Sequence, residues 1–483
     1  MKKLLLAFFT LLAFTTSKVN ATHLMGGQIT VEHLGTDSTL VKLTVYRDTT
    51  GIPMDTAAQS FEISYDSLCT APFATILFDF AGFSSMGSGV EEYLFTKTLS
   101  PSAGLTAYLS DSSAADYYLK WIYCCRNNAI VNLTSPGSNN MVLQTRYHTV
   151  GLTGFNSTPI FLNQPVTTAE INLPWAYNPL PFDADADSLY WYLDQPWDQC
   201  QSPCAGYYLP IGSATDPFTI NAATGQITWT PTALGNWNAT VMVNEYRGGQ
   251  LIGFIRRDMQ IIVLDSAAFA SGNKPIVTIN GTVVQNQQQF MFTIPANHNF
   301  NLISNATDID GDDLKYTVQG EPFILASNPA TSSVVDGTGT ASASISWTPL
   351  VPQAREKLYN LTLRTYEKHV SSVYVKILDI TVQLKVEAFA TGINTTEKEN
   401  TLLKVSPVPA NEFSTLQFSS KDNESTKITI RDLFGRVINV YTVSAKAGIN
   451  VFMIPTLELN NGMYMITLQS ANAQSSTKIL VQH

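Results

Sequence analysis

One block of this chain occurs twice, and that limits the architecture more than any other feature. Thr158-Pro159-Ile160-Phe161 returns as Lys274-Pro275-Ile276-Val277. Asp183-Ala184-Asp185-Ala186-Asp187-Ser188-Leu189-Tyr190 returns as Asp308-Ile309-Asp310-Gly311-Asp312-Asp313-Leu314-Lys315-Tyr316. Ile227-Thr228-Trp229-Thr230-Pro231 returns as Ile345-Ser346-Trp347-Thr348-Pro349, and a closing strand around Asn244-Glu245-Tyr246 matches one around Thr365-Tyr366-Glu367. Recurrence in one order predicts two domains of one kind. The periodicity inside and around the blocks is that of strands: Val41, Leu43 and Val45 share a face, as do Ile380, Val382, Leu384 and Val386. Val373, Val375 and Ile377 run in the opposite phase, which predicts a β-bulge at Leu378-Asp379. Helical periodicity is scarce. The expected fold class is all-β, with tandem antiparallel β-sandwiches that each bury one face per sheet.

The order of Asp-rich turn, strand, Trp-Thr-Pro and closing strands resembles cadherin-like and immunoglobulin-like bacterial modules. The resemblance implies sandwiches at 151–265 and 266–387, preceded by a β domain at 22–150. That earlier region holds Thr22-His23-Leu24-Met25-Gly26-Gly27 and Trp121-Ile122-Tyr123-Cys124-Cys125-Arg126-Asn127-Asn128. With Val243-Asn244-Glu245-Tyr246-Arg247-Gly248-Gly249 and Arg256-Arg257-Asp258, it resembles secreted Bacteroidetes surface proteins labelled gliding-motility-associated, over residues 22 to about 264. His33 and Thr49 stand where those relatives carry cysteines.

Four pieces close the chain in order. They are Val405-Ser406-Pro407-Val408-Pro409-Ala410, Ile430-Arg431-Asp432-Leu433-Phe434-Gly435-Arg436-Val437, Leu459-Asn460-Asn461-Gly462-Met463-Tyr464 and Thr477-Lys478-Ile479-Leu480-Val481. Together they resemble the C-terminal sorting domain of the Bacteroidetes type IX secretion system, with Val408 where the family has Asn. The resemblance marks Pro407, Pro409, Gly435, Arg436, Gly462 and Tyr464 as motif residues. It implies a β-sandwich sorting domain at 404–483, type IX secretion machinery as a partner, and export through the periplasm to the medium or the outer-membrane surface. Residues 388–403 lack apolar periodicity and read as a linker.

Residues 1–21 read as a signal peptide: Lys2 and Lys3, the apolar run Leu4 to Phe14, and cleavage between Ala21 and Thr22. No later run is long and apolar enough for a transmembrane helix, so the mature chain is expected to have none. Charged residues make up 14%, and the net charge is −10 without Lys/Arg clusters, which argues against nucleic acid as a partner. Five cysteines enter an oxidising compartment: Cys69, Cys124, Cys125, Cys200 and Cys204. A Cys200–Cys204 loop adds about 2 kcal/mol and a bridge from Cys69 to Cys124 or Cys125 about 4. Adjacent strand positions point to opposite faces, so Cys124 and Cys125 are expected to have different fates, with one thiol left over.

Asp183, Asp185 and Asp187, and again Asp308, Asp310 and Asp312, crowd carboxylates into one turn. Such a turn either shares a hard cation, calcium, or is an exposed Asx-type turn before a strand. Neither is an EF-hand: Gln319 replaces the bidentate Glu in the second copy and Ser188 the turn glycine in the first. Aromatic groups at Trp175, Tyr177, Tyr190-Trp191-Tyr192, Trp197, Tyr207 and Tyr208 suit either a sandwich core or sugar stacking. No His-Glu-x-x-His, Gly-x-Ser-x-Gly or phosphate-binding loop occurs, so a non-enzyme is expected; a hydrolase would need His148 and Glu91 or Glu92 brought together with a nucleophile. The reading is a secreted or surface structural or adhesive protein, with surface polysaccharide or other surface proteins as partners. The alternative is a glycan-binding module.

Overall fold

Alternation in the sequence becomes strand in the computed structural model, which describes residues 23–35, 38–68, 70–100, 116–148, 155–270, 273–285, 287–388, 403–433, 435–470 and 474–483. The fold class among these residues is all-β, with short helical segments such as Ser266–Phe269. The cleavage position Ala21-Thr22, Cys69 and most of the linker lie outside the described residues. The strands gather into two units.

The first unit comprises Met1–Pro159, Asp183–Pro210 and Gly235–Ile262. Its main sheet runs Ala74–Leu77, Ser60–Ser64, Asp116–Cys124, Asn140–His148, Gln250–Leu264, Leu24–His33, Thr39–Asp48, Val90–Leu99, Asp79–Gly87. Gly235–Arg247 joins at Gln250–Leu264, and Ser188–Asp194 pairs with Gly235–Arg247. Val41, Leu43 and Val45 point into the core, as their alternation predicts, beside Phe61, Phe95, Leu119 and Trp121. Each such side chain contributes about 1.5–3 kcal/mol by burial. Two glycines set the geometry of the long hairpin: Gly248 and Gly249 both take positive φ, 58° and 83°, as a two-residue type I′ turn requires. A third permits close approach, because a Cβ on Gly26 would sit 2.1 Å from the Asp258 carbonyl oxygen.

The second unit comprises Ile160–Phe182, Ile211–Leu234 and Val263–His483. The residues expected as a 151–265 sandwich are thus divided. The strands after the Asp-rich turn join the first unit, whereas Trp175–Tyr177, Ile227–Trp229 and Thr219–Ile220 form a small sheet in the second. Alternation announces an apolar face but not the sheet that receives it.

Within 266–387 two sheets face each other. One orders Phe290–Pro295, Lys376–Glu387, Tyr359–Lys368, Asp313–Gly320 and Gly337–Thr338; the other carries Ile276–Ile279, Phe300–Thr307, Thr340–Trp347 and Thr331–Val335. Ile294, Phe300, Leu302, Leu361, Val382 and Leu384 close the core between them. The bulge expected at Leu378-Asp379 does not form, since Lys376–Glu387 pairs with Tyr359–Lys368 in unbroken register. The phase changes because the second face is also buried. Asp379 receives Arg364 Nε at 2.6 Å and Asn163 Nδ2 at 3.0 Å, and Thr381 Oγ1 donates to Gln226 Oε1 at 2.7 Å.

Residues 404–483 add one further sheet, Val437–Ala445, Glu424–Asp432, Gly462–Gln469 and Gln474–Val481, while Leu403–Ser406, Phe413–Ser420 and Gly448–Pro455 extend the sheet of Phe300–Thr307, joined to it at Phe300 and Ile449. The motif residues of this segment fall at turns and strand ends. Gly435 has φ 82° after Glu424–Asp432, Arg436 bonds Asp432 through N and Nε, Gly462 opens a strand, and the Tyr464 hydroxyl donates to the Asn460 carbonyl at 2.9 Å. Pro407 and Pro409 both follow cis peptide bonds.

Candidate functional site

Both Asp-rich turns fold in the same way. In the first, Asp183 Oδ1 accepts from the backbone N–H of Asp185 at 3.0 Å and of Asp187 at 2.9 Å. In the second, Asp308 Oδ1 accepts from Asp310 at 2.9 Å and from Asp312 at 3.1 Å. The first carboxylate therefore winds the loop around itself as an Asx turn. The chain is not extended here, so alternate side chains do not share a side. Ala186 and Gly311 occupy the same place in the two loops, both left-handed, with φ 64° and 77°.

The middle aspartate of each triplet turns away. Asp185 accepts from the Ser157 N–H at 2.6 Å, and Asp310 from the Asn273 N–H at 2.6 Å. The outer two converge on a glutamate of the closing strand, Glu245 opposite Leu189 and Glu367 opposite Leu314. The resulting groups are Asp183, Asp187 and Glu245 in the first unit, and Asp308, Asp312 and Glu367 in the second. In each, one carboxylate oxygen per residue lies within 4.8 Å of the others. All six side chains are buried. The tips of these Asx turns are exposed but the outer carboxylates are not, and burying three carboxylates together raises the energy of every charged form unless a cation or protons answer them.

The two groups answer differently. Two residues past Glu245 stands Arg247, whose Nε and Nη2 grip Asp187 at 2.8 and 2.6 Å and which also donates to Asn156 Oδ1 and the Phe155 carbonyl. Glu245 is held protonated: burial, then Asp183 and Asp187, push its carboxyl up to about 9. Two residues past Glu367 stands His369, with Nε2 3.9 Å from Asp312 Oδ1 and Nδ1 accepting from the Ser371 N–H at 3.2 Å. Here Asp308 Oδ2 and Asp312 Oδ2 meet no hydrogen-bond donor among the described residues. Burial raises the Asp312 carboxyl above its usual range, with His369 opposing and Asp308 and Asp310 adding. Glu367 also lines a cavity of about 250 Å³ with Lys274, Lys376, Glu170 and Trp175, in which Lys376 pairs with Glu170 at 3.5 Å.

Glu245, Arg247, Glu367 and His369 are missing from the site residues expected from the sequence. The signal was present, because the closing strands recur at matching repeat positions, but only the fold brings them against the turns.

The cysteines depart from expectation. Cys124 and Cys125 bond each other, so they share one fate. No Cys200–Cys204 loop closes: Cys200 is in a disulfide, while Cys204 is a buried thiol that burial pushes up to about 11, against the pull of Arg126. Trp175, Tyr177 and Trp191 are core residues, as are Trp229 and Trp347, and the Arg256 guanidinium lies 3.5 Å over the Trp197 ring. Only Tyr190 and Tyr208 of the named aromatic groups are exposed. His148 Nδ1 pairs with Asp116 at 2.8 Å and Glu91 with Arg47 at 2.6 Å, so those residues are engaged in separate contacts.

No curated protein matches the chain. Among solved structures, four N-terminal immunoglobulin domains of Dscam1 share 9% identity over 95% of this chain and 99% of that one, at a TM-score of 0.17. Human protocadherin-24 EC1-2 shares 16% over 48% and 99%, at 0.16. A Parabacteroides merdae β-glucuronidase shares 9% over 43% of this chain and 25% of its own length, at 0.17, so the chain spans about a quarter of that enzyme. At these scores none carries a structural or functional inference. Among the described residues no helix is long and apolar enough to cross a membrane. Residues 404–482 match the model of the secretion system C-terminal sorting domain. That segment is a sorting domain of the type IX system, and it marks the chain for export to the cell surface or the extracellular space.

Proposed function

We propose that the exported part of this chain is a structural or adhesive surface module without catalytic activity, whose second repeat is stiffened by calcium. The observation behind the cation is the buried group Asp308, Asp312 and Glu367, in which two aspartate oxygens find no donor among the described residues. A hard cation accepts 6–8 oxygens, so these three residues would supply part of its shell, with backbone carbonyls and water for the rest. Its charge would offset their repulsion and tie the 308–312 turn to the closing strand Tyr359–Lys368. A module fixed in this way transmits force and presents its outer faces in one orientation. The partners that suit it are surface polysaccharide or other surface proteins.

Melting of the full-length exported chain in calcium and in chelator tests the reading. Calcium at 100 times its Kd stabilises by about 2.7 kcal/mol. The shift should vanish in Asp312→Asn, and an unchanged melting temperature in the wild type would remove calcium from the proposal. For delivery, deletion of 404–483 should leave the protein in the periplasm; surface display of that truncation counts against the route.

A further inference from the structure

We infer that the residue two positions beyond the closing-strand glutamate decides whether a repeat carries its own positive charge or takes one from solution, so that the chain binds one divalent cation rather than two. The inference rests on the calcium reading of the second repeat and extends it to the first. The two groups share the same Asx turn, the same diverted middle aspartate and a glutamate in register with the same leucine.

In the first repeat the position is Arg247. A guanidinium is charged at all working pH values and its fork matches a carboxylate. Both nitrogens on Asp187 are within 2.8 Å, and the Phe155 and Asn156 oxygens hold the rest of the fork in place. A divalent ion entering here would stand beside a fixed positive charge and compete with it for Asp187. In the second repeat the same position is His369. Its Nε2 lies 3.9 Å from Asp312, beyond hydrogen-bond reach, and its ring is partly exposed. Lys274 and Lys376 line the cavity beside Glu367, but no guanidinium grips Asp312 as Arg247 grips Asp187, and among the described residues Asp312 Oδ2 has no hydrogen-bond donor. That the equivalent group in the first repeat already holds a cation of the protein's own is independent support that this arrangement of carboxylates demands one.

The test exchanges the two residues in the full-length chain and counts calcium by isothermal titration, with terbium luminescence as a second readout. The wild type should take one ion, lost in Asp312→Asn. Arg247→His should take two, the second lost again when Asp183→Asn is added. His369→Arg should weaken calcium at least tenfold and make melting insensitive to chelator. Two ions in the wild type overturn the inference while leaving the calcium reading intact, and so does a count of one that neither exchange alters. No ion in the wild type but one in Arg247→His sinks only the second-repeat reading; none in either sinks both. Should Arg247→His fail to fold, His369→Arg decides alone, since it acts in the other unit.

Discussion

The carboxylate group of the first repeat and that of the second start from the same sequence pattern and reach opposite electrostatic solutions. In the first group Arg247 grips Asp187, and burial raises the Glu245 carboxyl. In the second group Asp312 Oδ2 has no hydrogen-bond donor among the described residues, and His369 stands 3.9 Å from the same carboxylate. The lesson concerns duplicated modules. A turn can be copied faithfully while the residue that balances its charge drifts, and a cation requirement then belongs to one copy and not the other.

The comparison is broken most severely by removing the internal cation. Arg247→Ala leaves Asp187 buried without its partner, which costs about 3–5 kcal/mol. Denaturant unfolding of the first unit should show that loss, and supplying calcium to the variant should restore part of it; a loss below about 1 kcal/mol would mean Arg247 is a surface pair of little weight. Next in size is the chelator effect on the second unit, about 2.7 kcal/mol at 100 times Kd.

The proton on Glu245 sharpens the contrast through pH. Its folded value, about 9, lies above the unfolded 4.5, so the folded state keeps a proton that the unfolded state releases. Stability from this group therefore falls as pH rises from about 4.5 to about 9, at no more than about 1.4 kcal/mol per pH unit, and is flat above. Glu245→Gln should flatten the slope in that window when unfolding free energy is measured at pH 6 and pH 8. A slope unchanged by the substitution would show that the proton sits elsewhere.

The smallest effect is in the backbone. Ala186 and Gly311 share a left-handed conformation, which only glycine adopts without strain. Ala186→Gly should gain, and Gly311→Ala should lose, about 1 kcal/mol in thermal unfolding. A Cβ at Gly311 would meet nothing within 4 Å, so the loss would be purely conformational. Equal and opposite changes would confirm that the loops are equivalent; a neutral Gly311→Ala would not.

Much of this was legible in the residues. Val41, Leu43 and Val45 alternate because a pleated strand has a period of two, and they are buried as that alternation requires. The sorting segment was readable because its motif residues sit close together along the chain, at turns and strand ends that local chemistry specifies. Asp183 and Asp308 were visible as turn formers for the same reason. The bulge at Leu378-Asp379 was misread because a buried ion pair, Arg364 with Asp379, can make a second strand face look like a change of phase. The Cys124–Cys125 bond escaped an argument built on opposite strand faces.

What the linear order settled is therefore whatever depends on near neighbours: strand periodicity, the Asx turns, the duplicated block and the address at the end. What the folded chain alone decided is which distant groups meet. Glu245 and Arg247 reach the first turn, Glu367 and His369 the second, and the strands of one repeat copy join the sheet of the preceding region. The physical reason is range. Turn and strand preferences act over a few residues, whereas the charge balance of a buried site is set by residues far apart in the chain, and only the completed sheet fixes their separation.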